Sequence, residues 1–228
     1  MSKRDKYTIQ GILERVEIKV CNDIVKRFEW IDETPRMKII NKFGWNNKTC
    51  QEISRKGEVD LLRYAHENGC PWNGCTCSEA SYEGHLECLK YAHENGCHWD
   101  EYTCHYASIN GYLACLKYAH ENDCPWDNDT CEYASETGHL ECLKYAHENG
   151  CQWNEDTCTS ASSEGRLECL KYAHENDCPW NANTCSEALF EGHLECLKYA
   201  MEQGCPTNME ECLKYAKGEC KKYLESLI

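Results

Sequence analysis

The chain has 228 residues, a formal net charge of −15 and 21 cysteines, with 41% hydrophobic and 28% charged residues. This is the composition of a globular chain that can bury a substantial core, and its charge argues against general binding to nucleic acids or to an anionic membrane surface. No apolar run reaches the roughly 18–20 residues of a membrane span, and no signal peptide is recognisable. We therefore expect reduced thiols in an intracellular, cytoplasmic compartment.

Residues 1–42 do not follow the pattern of the rest of the chain. Thr34-Pro35 is typical of a helix start and predicts a helix through Asn41. We interpret residues 1–42 as an N-terminal helical cap or docking segment.

From residue 43 onwards the sequence repeats every 27 residues without insertion or deletion. The clearest marker is Cys-Pro-Trp-Asn at residues 70–73, which recurs in modified form one period later at Cys97 and again at Cys124. The period predicts six units over residues 43–204 and a shortened capping repeat over residues 205–228. Eighteen of the 21 cysteines fall into three columns of this repeat, so the cysteine excess is one local environment copied along the chain.

Each unit is predicted to contain two short helices. In the unit of residues 70–96, Thr76 is typical of a helix N-cap or first turn, and Gly84 of a helix end. A second helix begins near Leu86, carries apolar residues at i, i+3, i+4 and i+7, and ends at Gly96. Helices this short are unstable alone in water, so each unit must pack against its neighbours. The sequence therefore predicts an all-α solenoid of stacked two-helix repeats.

The second helix and its exit read GHLECLKYAHENGC at residues 84–97. Together with Thr76-Cys77 and Ala80, this segment resembles the ankyrin repeat family, over residues 43–228. The resemblance implies an ankyrin-like solenoid that binds a partner protein. The repeat is shorter than the usual ankyrin unit of about 33 residues, which implies loss of the β-hairpin tips. Short cysteine-rich units also resemble ankyrin-type proteins of large DNA viruses of amoebae, which would make the partner a host protein.

The cysteine columns allow two interpretations. Free cysteine behaves as a small hydrophobic residue, which predicts a cysteine-lined core and no cofactor. A histidine column precedes two of the cysteine columns by four and eleven residues, and imidazole with two thiolates is also the material of a zinc site. Met201 replaces the histidine where Cys205 and Cys212 persist, which favours packing. A zinc-binding repeat protein is the alternative function, with the candidate ligands His66, Cys70, Cys77, His93, Cys97, Cys104, His120, Cys124, Cys131, His147, Cys151, Cys158, His174, Cys178 and Cys185.

A tryptophan column lies in the shortened loop, and we interpret it as packing over the surface that the lost hairpin leaves uncovered. Its members are Trp45, Trp72, Trp99, Trp126, Trp153 and Trp180.

Positions that differ between units are candidates for partner recognition, because the fixed positions maintain the solenoid. The ankyrin resemblance places the loop after the tryptophan and the end of the first helix on a concave binding surface. The candidates there are Tyr82, Glu101, Tyr102, Tyr106, Ile109, Asp129, Tyr133 and Phe190. Acidic neighbours would suit a basic protein partner, although an acidic helix surface is also typical of simple solvation. No phosphate loop or nucleophile motif is present, so we expect neither an enzyme nor a small-molecule substrate.

Overall fold

The computed structural model describes residues 46–228, so the interpretation of residues 1–42 lies outside the described part of the chain. That part contains fourteen α-helices and no strand. The helices are α1 (Asn47–Arg55), α2 (Val59–Glu67), α3 (Gly74–Tyr82), α4 (Leu86–Glu94), α5 (Glu101–Ile109), α6 (Leu113–Glu121), α7 (Asn128–Thr137), α8 (Leu140–Glu148), α9 (Glu155–Ser163), α10 (Leu167–Glu175), α11 (Ala182–Glu191), α12 (Leu194–Glu202), α13 (Met209–Tyr215) and α14 (Gly218–Glu225). Odd-numbered helices are the first helices of their units and even-numbered helices the second.

Polar caps and left-handed residues set the helix boundaries. Each first helix begins after an asparagine or an aspartate, including Asn208 before α13. In α9, for example, the Asn154 side chain accepts a hydrogen bond of 3.0 Å from the Asp156 amide. Thr76 therefore lies in the first turn of α3, after the N-cap residue Asn73. Gly84, with φ of 75°, follows α3 and reverses the chain into α4.

Every second helix of the regular units also ends at a left-handed residue, because the chain must turn sharply into the next loop. Glycine occupies this position in most units, but Asp123 and Asp177 occupy it in two of them, with φ of 62° and 63°. Aspartate tolerates this conformation better than most residues but still bears steric strain that glycine avoids.

Replacement of Asp123 by glycine should therefore raise the free energy of unfolding by about 0.5–1 kcal/mol, as measured by urea denaturation. The reverse change in the neighbouring unit, Gly150→Asp, should lower it by a similar amount, because Gly150 has φ of 85°. Equal stability of Asp123→Gly and the wild-type chain would show that the turn is not strained.

The core runs through the stack between the two layers of helices. In α4 the buried residues are Cys88, Leu89 and Ala92, and the same positions are buried in each following unit. All eighteen cysteines of the three columns are buried, as the packing interpretation predicted. First helices of neighbouring units pack together more extensively than second helices do.

None of the described helices has the length and apolar character needed to cross a membrane.

Candidate functional site

The histidine column forms an aromatic ladder. The His66 ring stacks on Trp72 with centroids 3.8 Å apart, and its Nδ1 shares a hydrogen bond of 3.1 Å with the Tyr91 hydroxyl of the next unit. Similar contacts recur at His93, His120, His147 and His174. These histidines are half-buried.

Eight thiols of the cysteine columns form hydrogen bonds to backbone carbonyls of a neighbouring unit. The Cys151 thiol donates to the carbonyl of Asp127, the N-cap residue of the preceding unit, at 3.0 Å. The thiols of Cys70, Cys97, Cys124, Cys178 and Cys205 donate to the equivalent carbonyls. Cys50 and Cys77 direct weak thiol hydrogen bonds of 4.0 and 3.9 Å to the carbonyls of Cys70 and Cys97. The thiols thereby link successive loops, where no β-hairpin is present to do so.

The predicted His/Cys/Cys ligand sets consequently do not converge. Among the described residues, three potential ligand atoms lie within 4.8 Å of one another only at His105, Asp127 and Asp129. The sets that the structure fails to assemble are His66/Cys70/Cys77, His93/Cys97/Cys104, His120/Cys124/Cys131, His147/Cys151/Cys158 and His174/Cys178/Cys185. The geometry gives no support to zinc binding by these columns.

The His105 group is a helix cap joined to a buried histidine. Asp127 Oδ1 accepts a hydrogen bond from the Asp129 amide at 3.1 Å and lies 2.7 Å from His105 Nε2. His105 belongs to α5 and Asp127 precedes α7, so this contact ties two neighbouring units together.

Lysine and arginine are absent from the first helices of the five regular units, although acidic residues are frequent there. We define the first-helix face as residues 70–84, 97–111, 124–138, 151–165 and 178–192, which comprise the loops and first helices of the five regular units. This face contains thirteen aspartates and glutamates and neither lysine nor arginine. The lysines of these units lie on the second helices, where most of them pair with a glutamate three residues earlier, as Lys144 does with Glu141 at 3.0 Å.

Crowding of carboxylates is strongest around Glu132 in α7. Burial, followed by the charge of Asp156, raises the pKa of Glu132, and its Oε1 accepts a hydrogen bond of 3.3 Å from the Ser160 hydroxyl. Burial also raises the pKa of Glu79 in α3. Because the folded chain holds these side chains less readily as anions than the unfolded chain does, their ionisation destabilises the fold.

Replacement of Glu132 by glutamine should therefore raise the melting temperature at pH 7. With its pKa raised in the folded state, Glu132 stabilises the fold only below its unfolded pKa, and this contribution is lost as the pH rises through the folded value. The gain from glutamine should shrink as the pH falls through the unfolded value of about 4.3 and disappear near pH 3, where the glutamate is protonated in both states. Glu141→Gln, which removes the salt-bridged anion of a second helix, should give no such gain at pH 7.

Aromatic side chains form a continuous cluster on the same face. The Tyr106 ring contacts Tyr82 at 5.4 Å and Tyr102 at 6.1 Å between centroids. The His105 ring continues the cluster, 5.8 Å from Tyr102 and 5.4 Å from Tyr133. Tyr82 and Tyr102 are 44% and 52% exposed, so the cluster presents a contiguous aromatic surface to solvent.

The structure assembles most of the predicted recognition residues. Tyr82, Tyr102, Tyr106 and Tyr133 belong to the ring cluster, which spans α3, α5 and α7. Glu101, Ile109 and Asp129 lie on α5 and α7 beside it. Phe190 stands apart on α11, 51% exposed and 5.9 Å from the Tyr215 ring.

Sequence reasoning missed His105 and Tyr215. The signal for His105 was present, because it is the only histidine in a column that otherwise contains Gln51, Ser78, Glu132, Thr159 and Ser186. Tyr215 lies in the shortened last repeat, where the period no longer identifies equivalent positions.

Comparison with known proteins identifies the fold. Residues 77–120 match the family model described as ankyrin repeats (many copies). The crystal structure of the human ASB11 ankyrin repeat domain superimposes with a TM-score of 0.67, at 18% identity, covering 78% of this chain and 96% of that chain. The chain has the ankyrin-repeat fold. No curated protein matches the sequence.

The ankyrin fold confirms the all-α solenoid predicted from the period. It also confirms the resemblance carried by residues 84–97, which lie within the matched segment. As predicted from the short repeat, the described part of this ankyrin stack contains no strand and hence no β-hairpin tip.

Proposed function

We propose that this ankyrin stack is a non-enzymatic scaffold that binds a basic protein segment along its first-helix face. The observation that carries the proposal is the division of charge: thirteen carboxylates and neither lysine nor arginine on that face. Simple solvation of an acidic protein does not require this division, because solubility is served as well by interspersed charges of both signs. An uncompensated acidic surface, in contrast, attracts and orients a cationic partner.

Two carboxylates whose ionisation destabilises the fold support the same proposal. Burial raises the pKa of both Glu79 and Glu132 on the first-helix face, so these anions reduce the stability of the free protein. A bound cation would relieve their mutual repulsion and part of their desolvation. Unfavourable arrangements of this kind are typical of binding surfaces, where stability is exchanged for function.

The first-helix face also carries exposed aromatic side chains. The rings of Tyr82 and Tyr102 are 44% and 52% exposed on the helices that carry its carboxylates. Aromatic residues of this type frequently provide much of the binding energy at protein interfaces. The many reduced thiols suit a reducing intracellular compartment, and the repeat form suggests a viral scaffold with a host protein as its partner. Neither nucleic acid nor a membrane surface suits a face of this charge.

Fluorescence anisotropy with three labelled peptides of equal length, one basic, one neutral and one acidic, tests the proposal. The basic peptide should bind, and its affinity should fall as ionic strength rises from about 50 to about 300 mM, because exposed charges are increasingly screened. The acidic and neutral peptides should not bind. Equal affinity for all three peptides would contradict the proposal.

Matched charge reversals identify the surface. The variant Glu101→Lys/Asp129→Lys/Glu132→Lys changes the first-helix face, and Glu87→Lys/Glu141→Lys/Glu168→Lys makes the same change of net charge on the second helices. The first variant should weaken binding of the basic peptide by at least about tenfold, and the second by much less. Equal losses would show that only the overall charge of the protein attracts the peptide.

A further inference from the structure

Several tyrosine rings of the stack carry a cation over one face. Arg63 lies 5.1 Å from the Tyr91 centroid, and Lys117 lies 5.2 Å from that of Tyr145; in both cases the cation comes from the preceding unit. Such cation–π contacts are attractive, because the face of an aromatic ring carries partial negative charge. In the described part of the chain, no lysine or arginine lies over the rings of Tyr82, Tyr102 or Tyr106.

These three rings form a contact cluster centred on Tyr106. Tyr106 of α5 is half-buried, and two more exposed rings contact it, Tyr82 from α3 and Tyr102 from the same helix α5. The Tyr82 ring is perpendicular to Tyr106, at 90°, and the Tyr102 ring is tilted from it by 34°. No ring contact among the described residues joins Tyr82 directly to Tyr102.

Carboxylates lie on the same elements as these rings. Glu79 precedes Tyr82 by three residues on α3, and Asp100 is the N-cap residue of α5, two residues before Tyr102. Burial raises the pKa of Tyr106, and the charge of Glu79 raises it further. Arg55 lies near Glu79 from the preceding unit, but its guanidinium already pairs with Glu52 at 2.8 Å. The tyrosine cluster therefore combines exposed aromatic faces with carboxylates on the same helices, and no lysine or arginine of the described residues lies over its rings.

We propose that Tyr82, Tyr102 and Tyr106, with Glu79 and Asp100, form the binding site for an arginine side chain of the basic partner. This inference rests on the proposed function and specifies the side chain that the first-helix face recognises. A planar guanidinium can stack on a tyrosine face while its edge donates hydrogen bonds to a carboxylate. A lysine ammonium is a compact, strongly hydrated charge that cannot do both in the same way.

The test compares two labelled peptides that alternate glycine with arginine or with lysine, of equal length and charge, by fluorescence anisotropy. The wild-type protein should bind the arginine peptide about five- to tenfold more tightly than the lysine peptide. Replacing arginine by citrulline, which is planar but uncharged, should abolish binding. The double variant Tyr82→Leu/Tyr102→Leu should bind the two charged peptides equally, with the lysine peptide little affected.

Two further variants separate ring loss from misfolding. Tyr102→Phe retains the ring and should retain the preference for arginine. Phe190→Leu removes an equally exposed aromatic residue elsewhere on the same face and should also retain it. Melting curves followed by circular dichroism confirm that each variant is folded.

The outcomes separate this inference from the proposed function. Binding of both charged peptides with equal affinity by the wild-type protein would overturn the arginine site and leave the basic-partner proposal intact. A preference that survives in the double variant would place arginine recognition elsewhere. Binding of neither peptide would overturn both proposals.

Discussion

Replacing Trp153 by alanine should lower the free energy of unfolding by about 2–3 kcal/mol, measured by urea denaturation. The Trp153 ring stacks on His147 with centroids 3.7 Å apart and meets the edge of Tyr172 at 6.2 Å. Its loss would remove apolar burial and two ring contacts, and would expose the hydrogen bond of 3.0 Å between His147 and the Tyr172 hydroxyl. The half-exposed position keeps the expected loss below that of a fully buried tryptophan.

A conservative variant and a binding assay test whether this tryptophan is structural. Trp153→Phe retains a stacking ring and should lose less than half as much stability. Both variants should bind the basic peptide as the wild-type protein does, because the ladder is separate from the tyrosine cluster of α3, α5 and α7. Loss of peptide binding by folded Trp153→Ala would show that the tryptophan column participates in recognition.

The sequence predicted the fold well because the same physical requirements recur in every unit. Helices too short to be stable alone, each ended by a residue such as Gly84 or Gly96, admit few arrangements other than a stack. Leu89 and Cys88 are buried as the helical period predicted. The first-helix N-cap was less predictable: both Asn73 and Thr76 are good capping residues, and only the backbone of the loop decides that Asn73 is the N-cap.

Sequence spacing did not predict which side chains of the candidate site contact one another, and the reason is the same in each case. Sequence spacing places His66 near Cys70 and Cys77 but does not fix the directions in which their side chains point. In the fold, His66 turns towards Trp72 and Tyr91, whereas the thiols face backbone carbonyls. The variable tyrosines were recognisable because they depart from the repeat. The pairing of His105 with Asp127, 22 residues later, depends on the offset between neighbouring units, which the period alone does not give.

Most thiols of the folded protein should react very slowly with a disulfide reagent. Of the cysteines that the structure describes, only Cys75 is exposed, and the other nineteen are buried and free of disulfides. Burial raises the pKa of Cys115 and Cys169 to about 11, and that of Cys142 to about 12. Because the thiolate is the reactive species, both inaccessibility and a raised pKa suppress reaction of these three thiols with a disulfide reagent near pH 8. At Cys185, where a hydrogen bond with Cys205 lowers the pKa to about 7, burial alone must protect the thiol.

Thiol titration of the native protein should therefore show a small fast phase, in contrast to the 21 thiols that react in concentrated guanidinium chloride. Cys75→Ser should remove one equivalent from the fast phase. Cys21 lies outside the described residues, and the double variant Cys21→Ser/Cys75→Ser should leave almost no fast reaction. Several fast equivalents in this double variant would mean that the cysteine core opens readily. If the reaction is slow, the thiols that link successive loops are protected by the stack itself, and their reactivity will report its local unfolding.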